Sequence, residues 1–102
     1  MKFFNFGQSK ASNFPFDEAQ NVAVLTCVHV LERKTMICHV SHDVEDGMWQ
    51  FLCGRAHKTN DARIVGLGEI YNLDRSIGEL SDLPYGFEAN RTEKKWTICP
   101  SD

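Results

Sequence analysis

No apolar run in the chain approaches the roughly twenty residues that a membrane-spanning helix needs, so no membrane partner is expected. The opening residues, MKFFNFGQSK, carry an early lysine. Polar residues interrupt them, and no apolar stretch of signal-peptide length follows. A cytoplasmic location is therefore expected. Cys27, Cys38, Cys53 and Cys99 form no CxxC pair, which removes the usual knuckle of a structural zinc site. Glycine-rich phosphate loops are also lacking: Gly66-x-Gly68 is a fragment without its third glycine. There is no basic excess either. Eleven Lys and Arg stand against fourteen Asp and Glu, a formal charge of −3. Without a basic stripe, no nucleic acid is expected as a partner. Repeats, linkers and low-complexity tracts are absent from the sequence.

What the chain does have is enough apolar material for one core. It is 102 residues long, 42% hydrophobic, with seven Phe, two Trp and two Tyr. A chain of that size forms one domain and buries about two-thirds of its unfolded surface.

Residues 22–53 carry the strongest pattern. Val22 to Leu31, Thr35 to Ser41 and Met48 to Cys53 are three apolar runs. Glu32-Arg33-Lys34 and Asp43-Val44-Glu45-Asp46-Gly47 separate them. Their Val, Leu, Thr, Cys and Trp content suits pleated surfaces. Breaks so short predict an antiparallel meander, because a parallel crossover takes a dozen residues or more. Asp46-Gly47 offers the positive φ that a reversal needs. Both faces of the first run are largely apolar, which predicts a central strand covered on two sides, or else one half covered with His29 at its wet edge. In the third run, Trp49, Phe51 and Cys53 share a face, and the two rings are the expected core anchors.

Before this region, residues 1–21 read as an N-terminal arm bearing Phe3, Phe4 and Phe6, with Pro15 suited to open a short helical turn through Gln20. Residues 22–102 read as one α+β domain. Arg55, His57 and Lys58 make a small basic cluster in a polar connection. Ala62 to Gly66 is a fourth strand candidate. Leu67, Ile70, Tyr71 and Leu73 recur at helical spacing. Asp74 or Ser76 can cap a further turn, and Ser76-x-x-Glu79 has capping-box form. Pro84 and Gly86 end the helical region. Phe87 to Arg91 and Lys95 to Cys99 flank Thr92-Glu93-Lys94 as a closing hairpin, with Trp96 and Ile98 facing the core.

Two kinds of site are conceivable. Cys27 and His29 lie two apart on the first run, with Cys38, His39 and His42 on the second and Cys53 on the third, and such residues can ligate zinc. Because the thiols sit inside hydrophobic runs, the reading favoured is buried free cysteines acting as small hydrophobes, with no metal and no cofactor. No nucleophile turn or third orienting residue marks a Cys–His catalytic pair, so no catalytic residue is assigned. The second site is acidic. Residues 69–88 hold Glu69, Asp74, Glu79, Asp82 and Glu88 against Arg75 alone, and Asp43, Glu45 and Asp46 form another acidic region. A solvated face is the plain reading. The functional one is a surface for a basic partner, with Asp74, Glu79 and Asp82 as its binding residues.

The succession Val28-x-Val30, Ile37-x-x-Val40, Asp46-Gly47-Met48-Trp49-Gln50-Phe51, Val65-x-Leu67-Gly68-Glu69-Ile70, Asp74-x-Ser76, Leu83-Pro84-x-Gly86 and Ala89-x-Arg91 resembles a family of small uncharacterised bacterial proteins related to the immunity proteins of polymorphic toxin systems. The resemblance runs from Val22 to Trp96. It implies a small α+β fold, a protein partner such as a toxin, and no active site; the Phe-bearing arm and the four cysteines lie outside its pattern. The architecture expected is a mostly antiparallel sheet of five or six strands with one or two short helices on one face. The function expected is noncatalytic protein binding, and the alternative is a small metal-binding or thiol-dependent enzyme.

Overall fold

The computed structural model describes residues 14–33, 35–54 and 59–101. The arm carrying Phe3, Phe4 and Phe6 and the basic cluster of Arg55, His57 and Lys58 lie outside them. The described chain is an α+β domain around one six-stranded, mostly antiparallel sheet. Its strands are β1 (Ala23–Cys27), β2 (His39–His42), β3 (Trp49–Leu52), β4 (Ala62–Gly66), β5 (Phe87–Thr92) and β6 (Lys95–Pro100). Helix α1 (Val28–Leu31) follows β1. Helix α2 (Leu67–Leu73) and a 3-10 helix (Arg75–Leu80) follow β4.

The sheet order β4-β1-β3-β2-β5-β6 corrects the expected meander. Strand β3 inserts between β1 and β2, antiparallel to β2 but parallel to β1, with Leu25 opposite Gln50 and Thr26 opposite Phe51. Residues 28–48 form the crossover, long enough for a parallel connection. Each break between the runs is short, but the parallel partner of β1 lies beyond both α1 and β2.

The first run is also shorter as a strand than expected. Pairing of β1 with β4 ends at Cys27 opposite Ala62, and β3 stops at Leu52, just before Gly54 takes a φ of +83°. Among the described residues, no strand pairs with the chain just beyond Cys27. Val28-His29-Val30-Leu31 closes its own hydrogen bonds instead, with Glu32 N donating to Val28 O at 2.9 Å and Arg33 N to Val30 O at 3.0 Å. Satisfying buried backbone groups outweighs the weak helix propensity of valine. Within β1, Val24 and Thr26 are buried while Ala23 is exposed and Leu25 half-buried. The strand is thus covered along its Val24–Thr26 face and, on the other, only at its Cys27 end, and His29 is half-buried in the helix that follows.

The core lies on the covered face, where Val24, Val40, Trp49, Phe51 and Ala89 meet Leu67, Ile70, Ile77, Leu80 and Leu83. Phe16, in the segment ahead of β1, is a core residue at 1% exposure. Its ring stands edge-on to Trp49 at 5.2 Å and to Phe51 at 6.4 Å. The residues after Pro15 form bends rather than the helical turn expected there. Gly68 lets α2 dock on this segment: its N–H donates to Gln20 O at 2.8 Å, and a Cβ there would come within 2.9 Å of Gln20 Cβ. The Gly66-x-Gly68 pair is therefore a close-packing device. The hairpin of β5 and β6 forms as expected, turning through Glu93 and Lys94 at φ of 52° and 71°. Trp96 packs at the margin of the core, but Ile98 is 52% exposed, contrary to expectation.

Candidate functional site

Three of the acidic residues singled out in the sequence meet different fates. Asp74 is half-buried. Its Oδ1 accepts from Ser76 N at 3.0 Å and from Ser76 Oγ at 2.6 Å, capping the 3-10 helix, and its Oδ2 pairs with Arg91 Nη2 at 3.2 Å. Arg91 also donates to Ser76 Oγ and lies over the Trp96 ring at 4.4 Å. Asp74 is thus committed to holding the helical layer against β5. Glu79 and Asp82 are exposed.

Asp82 does not stand alone. With Asp17, Glu18, His42, Ser81, Leu83, Pro84 and Tyr85 it lines a groove of about 360 Å³. His42 and Tyr85, in the wall of the groove, are the outer end of an aromatic column rising from the core. Phe51 stacks on Trp49 at 5.7 Å, Trp49 on His42 at 3.9 Å, and His42 meets Tyr85 at 4.5 Å. Period-2 alternation in β2 and β3 builds this column, since His42 lies opposite Trp49 in register. His42 Nδ1 donates to Leu83 O at 2.7 Å. That bond fixes its tautomer and ties β2 to the segment after the 3-10 helix. Its Nε2 faces Glu18 Oε2 at 3.8 Å, and the same oxygen accepts from Trp49 Nε1 at 2.8 Å.

At the surface end, Tyr85 is 62% exposed and Val44 69%. Both rest on tight backbone. A Cβ at Gly47 would touch Tyr85 Cε1 at 3.4 Å, and one at Gly86 would touch Val44 Cβ at 3.5 Å. The 43–48 turn between them is shaped by its own carboxylates, with Glu45 N bonded to Asp43 Oδ1 at 2.7 Å and Met48 N to Asp46 Oδ1 at 2.9 Å. Tyr85 therefore borders the groove of Asp17, Glu18 and Asp82, while Val44 lines the adjoining groove with Asp43 and Glu45, and His42 lines both. The sequence marked Asp43, Glu45, Asp46 and Asp82 as acidic. It did not single out Asp17, Glu18 or Tyr85 as members of one surface, because no local spacing links residues 17, 44 and 85.

The cysteines are unbridged. The structure brings together three of the residues weighed as metal ligands: Cys27, His29 and Cys53, whose ligand atoms all lie within 4.8 Å of one another. Cys38, His39 and His42 do not join them. His39 Nδ1 donates to Asn90 Oδ1 at 2.8 Å instead. Burial pushes the Cys27 thiol up, and the backbone amides of Val30 and Cys53 oppose that rise.

The chain matches no protein-family model, no curated protein and no solved structure. Among the described residues, no helix is long and apolar enough to cross a membrane.

Proposed function

We propose that this chain is a noncatalytic protein-binding domain, similar to a toxin-neutralising immunity protein of the bacterial cytoplasm, and that it engages a basic partner at the Val44–Tyr85 patch. One observation carries the reading: Asp17, Glu18 and Asp82 converge on one groove beside the exposed Tyr85 ring. A lysine or arginine side chain entering it meets carboxylates and an aromatic face together, and both attract a cation. Val44, exposed beside Gly86 in the adjoining groove, adds apolar contact. An apolar centre with a charged border is the anatomy of a specific interface, and opposite charge on the partner speeds encounter. Of the residues marked in the sequence, Asp82 lines the groove, Glu79 is exposed on the 3-10 helix, and Asp74 supports the scaffold.

The test begins with capture of the partner from a lysate of the source organism on the tagged full chain, followed by association kinetics of the purified pair. Asp17→Lys, Glu79→Lys and Asp82→Lys together should slow association and flatten its dependence on salt. Tyr85→Ala should raise the dissociation rate. A triple variant that associates at the wild-type rate at low salt overturns the reading.

A further inference from the structure

We infer that Cys27, His29 and Cys53 form a zinc-binding site with two thiolate ligands, one imidazole ligand and a fourth position left to solvent. The inference is independent of the partner surface, and three observations support it.

The first is proximity without sequence adjacency. Cys27 ends β1, His29 lies in the first turn of α1, and Cys53 follows β3. The parallel pairing of β1 with β3 carries the two strand ends to the same edge of the core. The three ligand atoms lie within 4.8 Å of one another, and Cys53 Sγ stands 4.0 Å from His29 Nδ1. Zinc held at about 2.3 Å from sulfur and 2.0 Å from nitrogen in a tetrahedron places sulfurs about 3.8 Å apart and sulfur and nitrogen about 3.5 Å apart. Adjustments of about an ångström, within the reach of a rotamer shift, convert one arrangement into the other.

The second observation is donor chemistry. Two sulfurs and an imidazole select zinc over magnesium or calcium, which take oxygen ligands. No carboxylate belongs to the cluster among the described residues. The third is burial. Cys27 and Cys53 are almost wholly buried while His29 is half-buried. Two ligands are thus held by the core and the third borders solvent, which leaves an entry path. Binding converts both thiols to thiolates: each S–H bond breaks, two protons pass to solvent, and two Zn–S bonds form with no change of oxidation state.

The full chain, reduced and freed of metal, is titrated with cobalt(II) and then with zinc against a chromophoric chelator, with native mass spectrometry for stoichiometry. One metal per chain is expected, with a thiolate-to-cobalt charge-transfer band that zinc abolishes. Even the outer partners of a metal ligand are worth about 10- to 100-fold in affinity. Cys27→Ser, His29→Ala and Cys53→Ser should therefore each weaken binding at least that much. Cys99→Ser, remote from the cluster, should leave it unchanged. If a serine variant fails to fold, as judged by its circular dichroism, the half-buried His29→Ala decides. Absence of stoichiometric metal from the wild-type protein, or binding unchanged in His29→Ala, overturns the inference.

Discussion

Glu18 accepts a hydrogen bond from Trp49 Nε1 at 2.8 Å, joining the segment ahead of the first strand to the strand at the middle of the sheet. The bond anchors Glu18, which lines the groove, to a tryptophan buried behind it. It also explains how a residue outside the sheet comes to lie 3.8 Å from His42. Replacing Glu18 with alanine removes the acceptor of the indole N–H in a side chain only 1% exposed. A loss of roughly 1–3 kcal/mol is expected in denaturant unfolding; an unchanged midpoint would show that water replaces the carboxylate without cost.

Trp49 and Phe16 meet edge to face inside the core at 5.2 Å. Each is 1% exposed. Trp49→Ala and Phe16→Ala should each destabilise by roughly 3–5 kcal/mol. Because the rings touch, the double variant should lose less than the sum of the two. A full double-mutant cycle by chemical denaturation checks this, and strict additivity would mean that the two rings do not support one another.

Asp74 and Arg91 form an ion pair in which the arginine side chain is only 7% exposed. Asp74→Ala removes the only carboxylate paired with that guanidinium among the described residues, leaving it Ser76 Oγ and the Trp96 face, with an expected loss of roughly 3 kcal/mol, the lower end for a broken buried pair. Glu79→Lys and Asp82→Lys, at exposed positions, should change stability by no more than about 0.5 kcal/mol. Thermal melts of the three variants side by side separate the scaffold carboxylate from the surface ones.

Cys38 and Cys99 are partly exposed, whereas Cys27 and Cys53 are buried. In the reduced, metal-free native protein, a small alkylating reagent should label Cys38 and Cys99 first, and Cys27 last, since its thiol is pushed up by burial and yields less thiolate. Peptide mapping over a time course gives the order. Early labelling of Cys27 would contradict its place in the core.

Glu93 and Lys94 both occupy left-handed backbone in the turn between β5 and β6. Residues with a Cβ are disfavoured there by about 1–2 kcal/mol each. Glu93→Asn with Lys94→Gly matches the residues a two-residue hairpin turn prefers. The pair should raise the melting temperature with no loss of fold, and a lower melting temperature would mean that the native side chains contribute more than the strained backbone costs.

Much was legible wherever the decisive interactions are local. The alternation Trp49-x-Phe51 named a buried face because the strand period is two. The spacing of Leu67, Ile70 and Leu73 named α2, and of the two capping candidates, Asp74 and Ser76, it is Asp74 that caps the 3-10 helix. The closing hairpin followed from two strands and a short turn. The tertiary structure decided the rest. Nothing in Val28-His29-Val30-Leu31 forbids a strand; it turns helical because the neighbouring strands end before it. The parallel pairing of β1 with β3 is a contact across residues 28–48, and no periodicity within either strand encodes it. That same pairing brings Cys27 to Cys53 rather than to Cys38. The groove depends on residues 17, 18, 82 and 85 arriving from separate segments. Local sequence set the type of each element through propensity and period, while pairing, and with it every candidate site, was set by which distant surfaces could satisfy each other's hydrogen bonds and bury each other's apolar faces.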